Sequence, residues 1–411
     1  MTPREFAIEV TEKLQSAGYE ALWAGGCVRD QMLGIEPKDY DVATIALPEQ
    51  VRELFGKRRT LPIGASFGVI TVLGPKSAGQ IEVATFRRDG GYTDGRRPDA
   101  VEFTDAKEDA LRRDFTINGM FYDPIAEEVH DFVGGVEDLQ SRLIRAIGNP
   151  ESRIDEDKLR MLRAIRFAST YDFKIESATM EAIRQHAPEI QVVSGERIGT
   201  EMRKVLTHPN RAIGMQLLRQ SNLLDQIFPQ GPGLYHDQPQ WERMLVALKQ
   251  LPTKNFCCAL SLVLRLDPVN NPVAKLFHQW KLSNEEKKSI QWILAKMSDL
   301  AAAHQQPWSV IQPLLIQPDA ERCVTVVEQW HRAAHPVEST EGTEFCRERL
   351  AWPSEQLDPP PLLDGNSLKQ MNLEAGKIFG EILKTVRAEQ LDGILTSVDD
   401  AEARAREIAG V

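Results

Sequence analysis

The sequence has few cysteines and no long apolar run. Its 411 residues include only five cysteines, an odd number, and none forms a Cys-x-x-Cys pair. A disulfide framework or a zinc site is therefore not expected. No apolar stretch approaches the roughly 20 residues that a helix needs to cross a bilayer. The first residues also lack the apolar core of a signal peptide, so we expect a cytoplasmic protein without a membrane span.

The chain also lacks an excess of basic residues. Its 60 Asp and Glu outnumber its 49 Lys and Arg, which gives a net charge of −11. Indiscriminate binding of nucleic acid depends on neutralising phosphates, so this balance disfavours it. A local basic surface can still bind RNA on an acidic protein. The length allows several domains of ordinary size.

A double glycine followed by two closely spaced aspartates is the most informative pattern. Gly25 and Gly26 open an apparent helix, and that helix leads to a short strand near Asp39 and Asp41. Residues two apart on a strand point the same way, so both carboxylates are predicted to face one site. Such pairs suit Mg²⁺, which shares oxygen ligands with substrate phosphates, while a glycine turn before a helix suits a triphosphate. The pattern predicts metal-assisted nucleotidyl transfer.

A third carboxylate is expected from a neighbouring strand. Residues 69–73 and 81–86 are β-rich, and the glycine-containing connection between them predicts a hairpin. Apolar residues flank Glu82 and face one side of its strand, which places the carboxylate on the other side. Glu82 is the best candidate for the third metal ligand. The alternative is that it belongs to the polar face of a half-exposed strand.

Three further motifs follow in order along the chain. They are Arg112-Arg113-Asp114-Phe115-Thr116-Ile117-Asn118, then Glu156-Asp157-Lys158-Leu159-Arg160 with Arg163 and Arg166 at the same interval, then Glu196-Arg197-Ile198-Gly199-Thr200-Glu201. Together with Gly-Gly-x-Val-Arg-Asp at residues 25–30, this ordered set resembles the class II tRNA nucleotidyltransferases (CCA-adding enzymes) and bacterial poly(A) polymerases. The resemblance covers roughly residues 20–230.

The resemblance implies a role for each matching residue. Asp39, Asp41 and Glu82 would be the catalytic carboxylates that hold Mg²⁺. The expected partners are the 3′ end of tRNA, with CTP and ATP as substrates and no DNA. The third motif is expected to form a structural ion-pair cluster at a helix start, and Gly119, where the family often has Ala, is expected to loosen the backbone. The implied nucleotide-binding residues are Gly25, Gly26, Arg29, Arg113, Asp114, Asn118, Asp157, Arg160, Arg163 and Arg166.

Asp157 and Arg160 are predicted to select the base. Residues three apart on a helix share a face. A carboxylate can accept from the exocyclic amine of C or A while a guanidinium donates to the adjacent ring nitrogen. G and U present a carbonyl instead and leave buried polar groups unpaired, which rejects them strongly. The same spacing also suits an ordinary salt bridge, but the resemblance to the family's template motif favours base selection.

The predicted fold is α+β, with a nucleotidyltransferase head on a small mixed sheet followed by all-helical neck, body and tail regions. We expect the head at residues 1–136, the neck with the base-selecting motif at 137–228, the body at 240–350 and a tRNA-binding tail at 362–411. Residues 229–239 and 351–361, rich in proline, mark the linkers. Residues 87–103, rich in glycine and charge, predict a mobile loop.

The predicted function is template-independent addition or repair of the 3′-terminal CCA of tRNA. A poly(A) polymerase is disfavoured because the chain ends with mixed charge rather than a basic extension. A CC-only enzyme is disfavoured because such enzymes tend to lack the loop at 87–103. An enzyme that adds only the terminal A stays open. A catalytically silent RNA-binding protein is opposed by the presence of all three carboxylates.

Overall fold

The computed structural model describes residues 1–90, 101–228, 236–266, 272–335, 341–371, 373 and 376–411. Most of the predicted loop (residues 91–100) and most of the first predicted linker (residues 229–235) lie outside the described residues. The chain divides into two compact units, Met1–Gly231 and Pro232–Val411. The boundary between the units falls within the first predicted linker.

The first unit contains all the described strands. Their bounds are β1 Ala21–Ala24, β2 Asp41–Thr44, β3 Thr60–Leu61, β4 Val69–Leu73, β5 Gln80–Thr85, β6 Arg87–Asp89, β7 Val101–Phe103, β8 Phe121–Asp123, β9 Glu128–His130, β10 Leu143–Ile144 and β11 Lys174–Ile175. Seven of these described strands form one mixed sheet in the order β3-β4-β5-β2-β1-β8-β9. β4 and β5 pair antiparallel, which confirms the predicted hairpin.

The helices of the first unit flank this sheet and also form the C-terminal part of the unit. Their bounds are α1 Pro3–Ser16, α2 Gly26–Met32, α3 Pro48–Phe55, α4 Ala106–Leu111, α5 Gly135–Gln140, α6 Pro150–Glu156, α7 Arg160–Tyr171, α8 Ser177–His186, α9 Gly195–Thr207, α10 Arg211–Gln220 and α11 Leu223–Ile227. A capping box starts α1, in which Thr2 and Glu5 exchange hydrogen bonds. Phe6, Val10 and Leu14 are fully buried along one face of α1.

The two ends of the predicted loop at 87–103 lie in strands. β6 and β7 pair antiparallel, with Arg87 opposite Phe103 and Asp89 opposite Val101. These six residues are therefore a strand pair and not a loop. The ladder hydrogen bonds hold the two ends of the segment side by side, next to the end of β5.

The described part of the second unit is helical. Its helices are α12 Gln238–Gln250, α13 Phe256–Leu264, α14 Pro272–Trp280, α15 Asn284–Ala301, α16 Trp308–Leu315, α17 Ala320–Ala334, α18 Glu341–Leu350, α19 Ser354–Leu357, α20 Gly365–Gln370, α21 Lys377–Leu391 and α22 Val398–Ala409. The predicted α+β class, with an N-terminal mixed sheet and a helical remainder, is confirmed. Across the described residues, no helix combines the length and apolar character needed to cross a membrane.

The second predicted linker contacts helices on both sides of it. Asp358 accepts a hydrogen bond from the side-chain amide of Gln312 in α16 at 2.8 Å. It also forms an ion pair with Arg387 of α21 at 2.8 Å. Ser309 of α16 donates to Asp392, which follows α21. The last three helices bury a small apolar core of their own that includes Leu368, Ile382 and Ala401. Polar contacts therefore join the predicted tail to the predicted body.

Candidate active site

The double glycine forms a turn between β1 and α2. Gly25 has φ +71° and ψ −123°, a backbone conformation that L side chains rarely adopt. A Cβ added at Gly25 would lie 3.1 Å from Nη1 of Arg113. Both the backbone angle and the close approach of the guanidinium therefore require glycine here. The predicted start of a helix at this turn is confirmed.

The sheet brings Asp41 and Glu82 side by side. β2 and β5 run parallel, and Asp41 stands directly opposite Glu82 in their register. Glu82 is exposed between the buried residues Ile81 and Val83, so its predicted orientation is confirmed. Asp39 precedes β2, and the prediction that it shares a strand with Asp41 is wrong. Asp39 and Asp41 nevertheless line the same cleft.

These three residues are called here the carboxylate cluster, and Asp41 is repelled by the other two. Although Asp41 keeps an exposed face, desolvation raises the pKa of its carboxyl, and the charges of Glu82 and Asp39 raise it further against the opposing effect of Arg113. The resulting pKa is about 6. Among the ion pairs of the described residues, none involves the carboxylate cluster. Uncompensated oxygen donors of this kind fit a hard divalent cation.

Two successive arginines follow the end of α4. Arg112 Nη2 lies 2.7 Å from one oxygen of Asp109, and Arg113 Nη2 lies 2.8 Å from the other. Because α4 ends at Leu111, the arginines converge on one carboxylate instead of diverging around a helix. Burial opposes the charge on Asp109, but the two guanidinium groups outweigh it and lower the pKa. The sequence analysis missed Asp109, although its position three and four residues before two arginines was an available signal.

Asp114 lies at the centre of a buried polar network. One of its oxygens accepts from the side-chain amide of Asn118 at 3.0 Å, and the other pairs with Arg163 at 2.5 Å. Asn118 in turn accepts from Nη1 of Arg29 at 2.5 Å. Burial alone would raise the pKa of Asp114, but the Arg163 charge and the Asn118 hydrogen bond lower it to about 2. Asp114 therefore stays ionised and orients both neighbours.

Asp157 and Arg160 do not share a helix, so the predicted geometry is wrong. α6 ends at Glu156, Asp157 is extended at φ −151°, and α7 begins at Arg160. The Asp157 carboxylate accepts from the backbone N–H of Leu159 at 3.0 Å, a local bond that competes with helix formation. Asp157 pairs with Arg197 at 2.6 Å, and Arg160 pairs with Glu156 at 2.6 Å. Both still line the cleft.

α7 and α9 supply the remaining charged groups. Arg166 of α7 pairs with Glu201 of α9 at 2.5 Å. α9 starts at Gly195, and Arg197 and Glu201 of the third motif form ion pairs with Asp157 and Arg166, so the predicted ion pairing is confirmed for these two residues. Phe167 is buried yet lines the cleft, with the Arg166 guanidinium 3.9 Å from its ring centroid. The sequence analysis assigned no role in the site to Arg112, Phe167, Arg197 or Lys204, which line the cleft.

The cleft has a volume of about 690 Å³, which is within the range of ligand pockets. It collects every predicted site residue except Glu82, which lies beside Asp41 on the sheet. Besides Lys204, its cationic side contains seven guanidinium groups, called here the arginine network. These belong to Arg29, Arg112, Arg113, Arg160, Arg163, Arg166 and Arg197.

Gly119 packs tightly, and the expectation that it loosens the backbone is wrong. A Cβ at this position would lie 2.7 Å from Val133 and 3.0 Å from Ile147. Side chains of this chain therefore occupy the space that an alanine would need. The glycine keeps the turn after Asn118 in close contact with its neighbours.

A separate acidic group lies outside the cleft. Asp155, His186 and Glu189 place their ligand atoms within 4.8 Å of one another. However, the ammonium of Lys158 lies 2.6 Å from Asp155 and also pairs with Glu189. A cation of the chain itself therefore pairs with both carboxylates of this group, in contrast to the carboxylate cluster.

Comparison with known proteins agrees with these features. A family model described as "Poly A polymerase head domain" matches residues 21–145, and one described as "Probable RNA and SrmB- binding site of polymerase A" matches residues 172–233. The CCA-adding enzyme of Enterococcus faecalis is 33 % identical over 403 residues, which cover 96 % of this chain and 93 % of that enzyme. The chain belongs to the CCA-adding enzyme family. This membership confirms the predicted resemblance and a nucleotidyltransferase activity.

Solved structures of the family share the fold. The Bacillus stearothermophilus CCA-adding enzyme in complex with CTP aligns with a TM-score of 0.80 and 28 % identity, over 99 % of this chain and 98 % of that one. The Thermotoga maritima CCA-adding enzyme complexed with tRNA aligns with a TM-score of 0.71 and 21 % identity, over 99 % and 94 %. The second likeness is evidence for the fold alone.

Proposed function

We propose that this chain adds or repairs the 3′-terminal CCA of tRNA from CTP and ATP by Mg²⁺-dependent nucleotidyl transfer in the cytoplasm. The observation that carries the proposal is a cleft that combines two kinds of group. It holds carboxylates that form no ion pair among the described residues, and it holds guanidinium groups that ion pairs already orient. Nucleotidyl transfer needs this combination, because the metal and the triphosphate carry opposite charges and must bind at the same place. Relatives that match nearly the whole chain are CCA-adding enzymes.

Asp39, Asp41 and Glu82 are the proposed metal ligands. They offer carboxylate oxygens that form no ion pair among the described residues, and desolvation together with the charges of Glu82 and Asp39 raises the pKa of Asp41. When bound, Mg²⁺ supplies positive charge that activates the attacking hydroxyl and stabilises the triphosphate. The contribution of the chain is to hold Asp41 and Glu82 opposite each other on paired strands, with Asp39 just before β2 in the same cleft as Asp41.

The proposed triphosphate contacts lie around the glycine turn. Gly25 and Gly26 allow close approach of the phosphates, and Arg29 and Arg113 are the cations nearest to this turn. Asn118 accepts a hydrogen bond from Arg29 and donates one to Asp114, so Asp114 and Asn118 together orient the Arg29 guanidinium. Arg163 and Arg166, farther along α7, are proposed to contact the incoming phosphates or the RNA 3′ end. Because the arginines are already positioned, little reorganisation is needed when a nucleotide binds.

Asp157 and Arg160 are the proposed base-selecting pair. Their separate partners, Arg197 and Glu156, hold each side chain at the cleft before a base arrives. A base with an exocyclic amine gives Asp157 a donor, whereas a carbonyl there would leave two acceptors facing each other. Arg197 thereby becomes a proposed positioning residue for Asp157.

We also propose the division of labour along the chain. Residues 1–136 form the catalytic head and residues 137–228 the neck with the base-selecting motif. Residues 240–350 form a helical body, and residues 362–411 form a tail that binds tRNA. Support for a distinct tail comes from its own small apolar core.

Single-nucleotide incorporation tests the function. Purified protein is given each NTP separately with three tRNA substrates: one lacking CCA, one ending in C and one ending in CC. A CCA-adding enzyme adds C to the first two and A to the third, and it uses neither G nor U. Addition only to the CC-ended tRNA would identify an A-adding enzyme, and long A products a poly(A) polymerase. No incorporation with any substrate would contradict the proposal.

A further inference from the structure

Arg29 is held on several sides next to the glycine turn. Its Nε and Nη2 lie 2.9 and 2.8 Å from the same oxygen of Asp30, and its Nη1 donates to Asn118. A guanidinium has five N–H donors, so two remain without a partner among the described residues. Nη2 would lie 3.5 Å from a Cβ at Gly26. The free donors are therefore next to the backbone where phosphate is proposed to bind.

Tyr171, the last residue of α7, contacts Arg29 in two ways. The face of its ring lies 4.6 Å from Cζ of Arg29, a distance typical of a cation–π contact. Its hydroxyl donates to Asp30 at 2.8 Å, to the same carboxylate oxygen that orients Arg29. Burial raises the pKa of Tyr171 to about 12, so the hydroxyl keeps its proton and remains a donor.

The aromatic contact continues along α7. Phe167, one turn earlier, stacks on Tyr171 with ring centroids 6.4 Å apart and planes at 17°. Its ring lies 5.1 Å from Cζ of Arg29. The two rings together cover the guanidinium, which is 6 % exposed as a residue. Arg29 therefore depends on α7 for its position, although α2 supplies its backbone.

We propose that Tyr171 is a positioning residue that fixes Arg29 for the triphosphate and couples this phosphate contact to α7. The inference rests on the proposed function in that it takes Arg29 as a phosphate ligand. α7 begins with Arg160 and ends with Tyr171, and a helix rises 1.5 Å per residue, so its ends are about 16 Å apart. One rigid helix thus links the base-selecting end of the cleft to the phosphate end.

The conservative variant separates positioning from simple packing. Tyr171→Phe keeps the ring over Arg29 and removes only the hydrogen bond to Asp30. Tyr171→Leu removes the ring as well. Tyr122→Phe is the matched control, since Tyr122 is another half-buried tyrosine of the first unit and packs against Trp23 at 5.7 Å. Melting temperatures of all variants report on folding.

The decisive measurement is binding of inorganic tripolyphosphate, a probe without a base. Calorimetry at fixed salt and Mg²⁺ gives its dissociation constant, and steady-state kinetics give KM and kcat for CTP and ATP. We expect Tyr171→Phe to weaken tripolyphosphate binding about 2- to 10-fold, the range of one hydrogen bond. KM should rise by the same factor for CTP and ATP, and KM for tRNA should stay unchanged. Tyr171→Leu should have the larger effect, because it also loses the cation–π contact.

Several results would overturn the inference. One is that Tyr171→Phe and Tyr171→Leu both bind tripolyphosphate as tightly as the wild type. Another is that KM changes for only one of the two nucleotides, CTP or ATP. If Tyr171→Leu does not fold, Tyr171→Phe alone decides. If the wild-type protein incorporates no nucleotide but its tripolyphosphate affinity depends on Tyr171, the proposed function fails while the positioning role stands. Absence of tripolyphosphate binding by the wild-type protein would overturn the phosphate contact itself.

Discussion

The carboxylate cluster and the arginine network lie in one site but differ in whether their charges are paired. Each guanidinium of the network already has an acidic partner in the folded chain. The pairs are Arg29 with Asp30, Arg112 and Arg113 with Asp109, Arg160 with Glu156, Arg163 with Asp114, Arg166 with Glu201 and Arg197 with Asp157. The carboxylate cluster has no such partner among the described residues.

This difference means that the arginines are already oriented before substrate binds, whereas the carboxylates still need a cation. Fixed ion pairs orient the arginines and offset their charge locally, so an acidic chain can still present seven guanidinium groups in one cleft. Asp41 is held opposite Glu82 in spite of their repulsion and of its own desolvation, which costs stability until a cation binds. Function and stability are therefore opposed in the carboxylate cluster and aligned in the arginine network. Four experiments test this contrast, in order of decreasing effect.

The largest effect is expected for Asp41→Asn. Losing one ligand removes stabilisation of the charge that develops during transfer, so nucleotide incorporation should fall by about 10³-fold or more. Folding and tRNA affinity should change little. Glu128→Gln, an exposed carboxylate on the edge strand β9, is the matched control and should stay active. Near-normal incorporation by folded Asp41→Asn protein would rule out the metal-ligand role.

Asp157→Ala tests whether the arginine network serves base selection. Removing the acceptor should reduce discrimination between C or A and G or U by about 10²-fold, while triphosphate binding is largely kept. The measurement is incorporation of all four NTPs. Asp155→Ala, two residues away and paired with Lys158 outside the cleft, is the control. Unchanged selectivity in Asp157→Ala would show that the base is selected elsewhere.

Arg163→Met tests the claim that ion pairs in the network stabilise the fold. It leaves the buried Asp114 without its cation and should destabilise the first unit by about 3 kcal/mol, measured by denaturant unfolding. Arg184→Met removes an exposed pair with Glu181 and an exposed hydrogen bond from Nε to the carbonyl of Gln220, and it should cost no more than about 1 kcal/mol.

The pH dependence of this third experiment has a defined sign. The pKa of Asp114 is lowered to about 2 from an ordinary 3.8. Its stabilising effect is therefore complete above pH 3.8 and disappears as pH falls towards 2. The difference in free energy of unfolding between the wild type and Arg163→Met should decrease as the pH falls from 3.8 towards 2. An equal gap at all pH values would contradict an ionised Asp114.

The smallest effect concerns the stability of Asp41→Asn without Mg²⁺. The pKa of Asp41 is raised from 3.8 to about 6, so its charge destabilises the folded state fully above pH 6 and not below pH 3.8. Asp41→Asn should therefore melt about 1–3 °C higher than wild type at pH 8, with no gain below pH 3.8. Added Mg²⁺ should stabilise the wild type more than the variant. A lower melting temperature for Asp41→Asn at pH 8 would contradict stored repulsion.

Local patterns made much of the carboxylate cluster predictable. Alternation around Glu82 revealed which side of the strand it faces, and the glycine-containing connection before it indicated the hairpin. Asp39 was misplaced because the spacing of two aspartates does not reveal where a strand begins. The end of α6 was missed for a related reason. The side chain of Asp157 bonds to the backbone of Leu159, and helical spacing does not exclude that competing bond.

The sequence by itself determined the family, the α+β class, the glycine turn and most residues of the cleft. These follow from short-range rules: backbone freedom at glycine, the strand period of two and the ordered motifs. Only the tertiary structure decided which charges pair. Arg197 lies 40 residues from Asp157, and Tyr171 lies 141 residues from Asp30. Many carboxylates and cations could pair in an unfolded chain, and only the packing of α2, α7 and α9 brings these particular groups into contact.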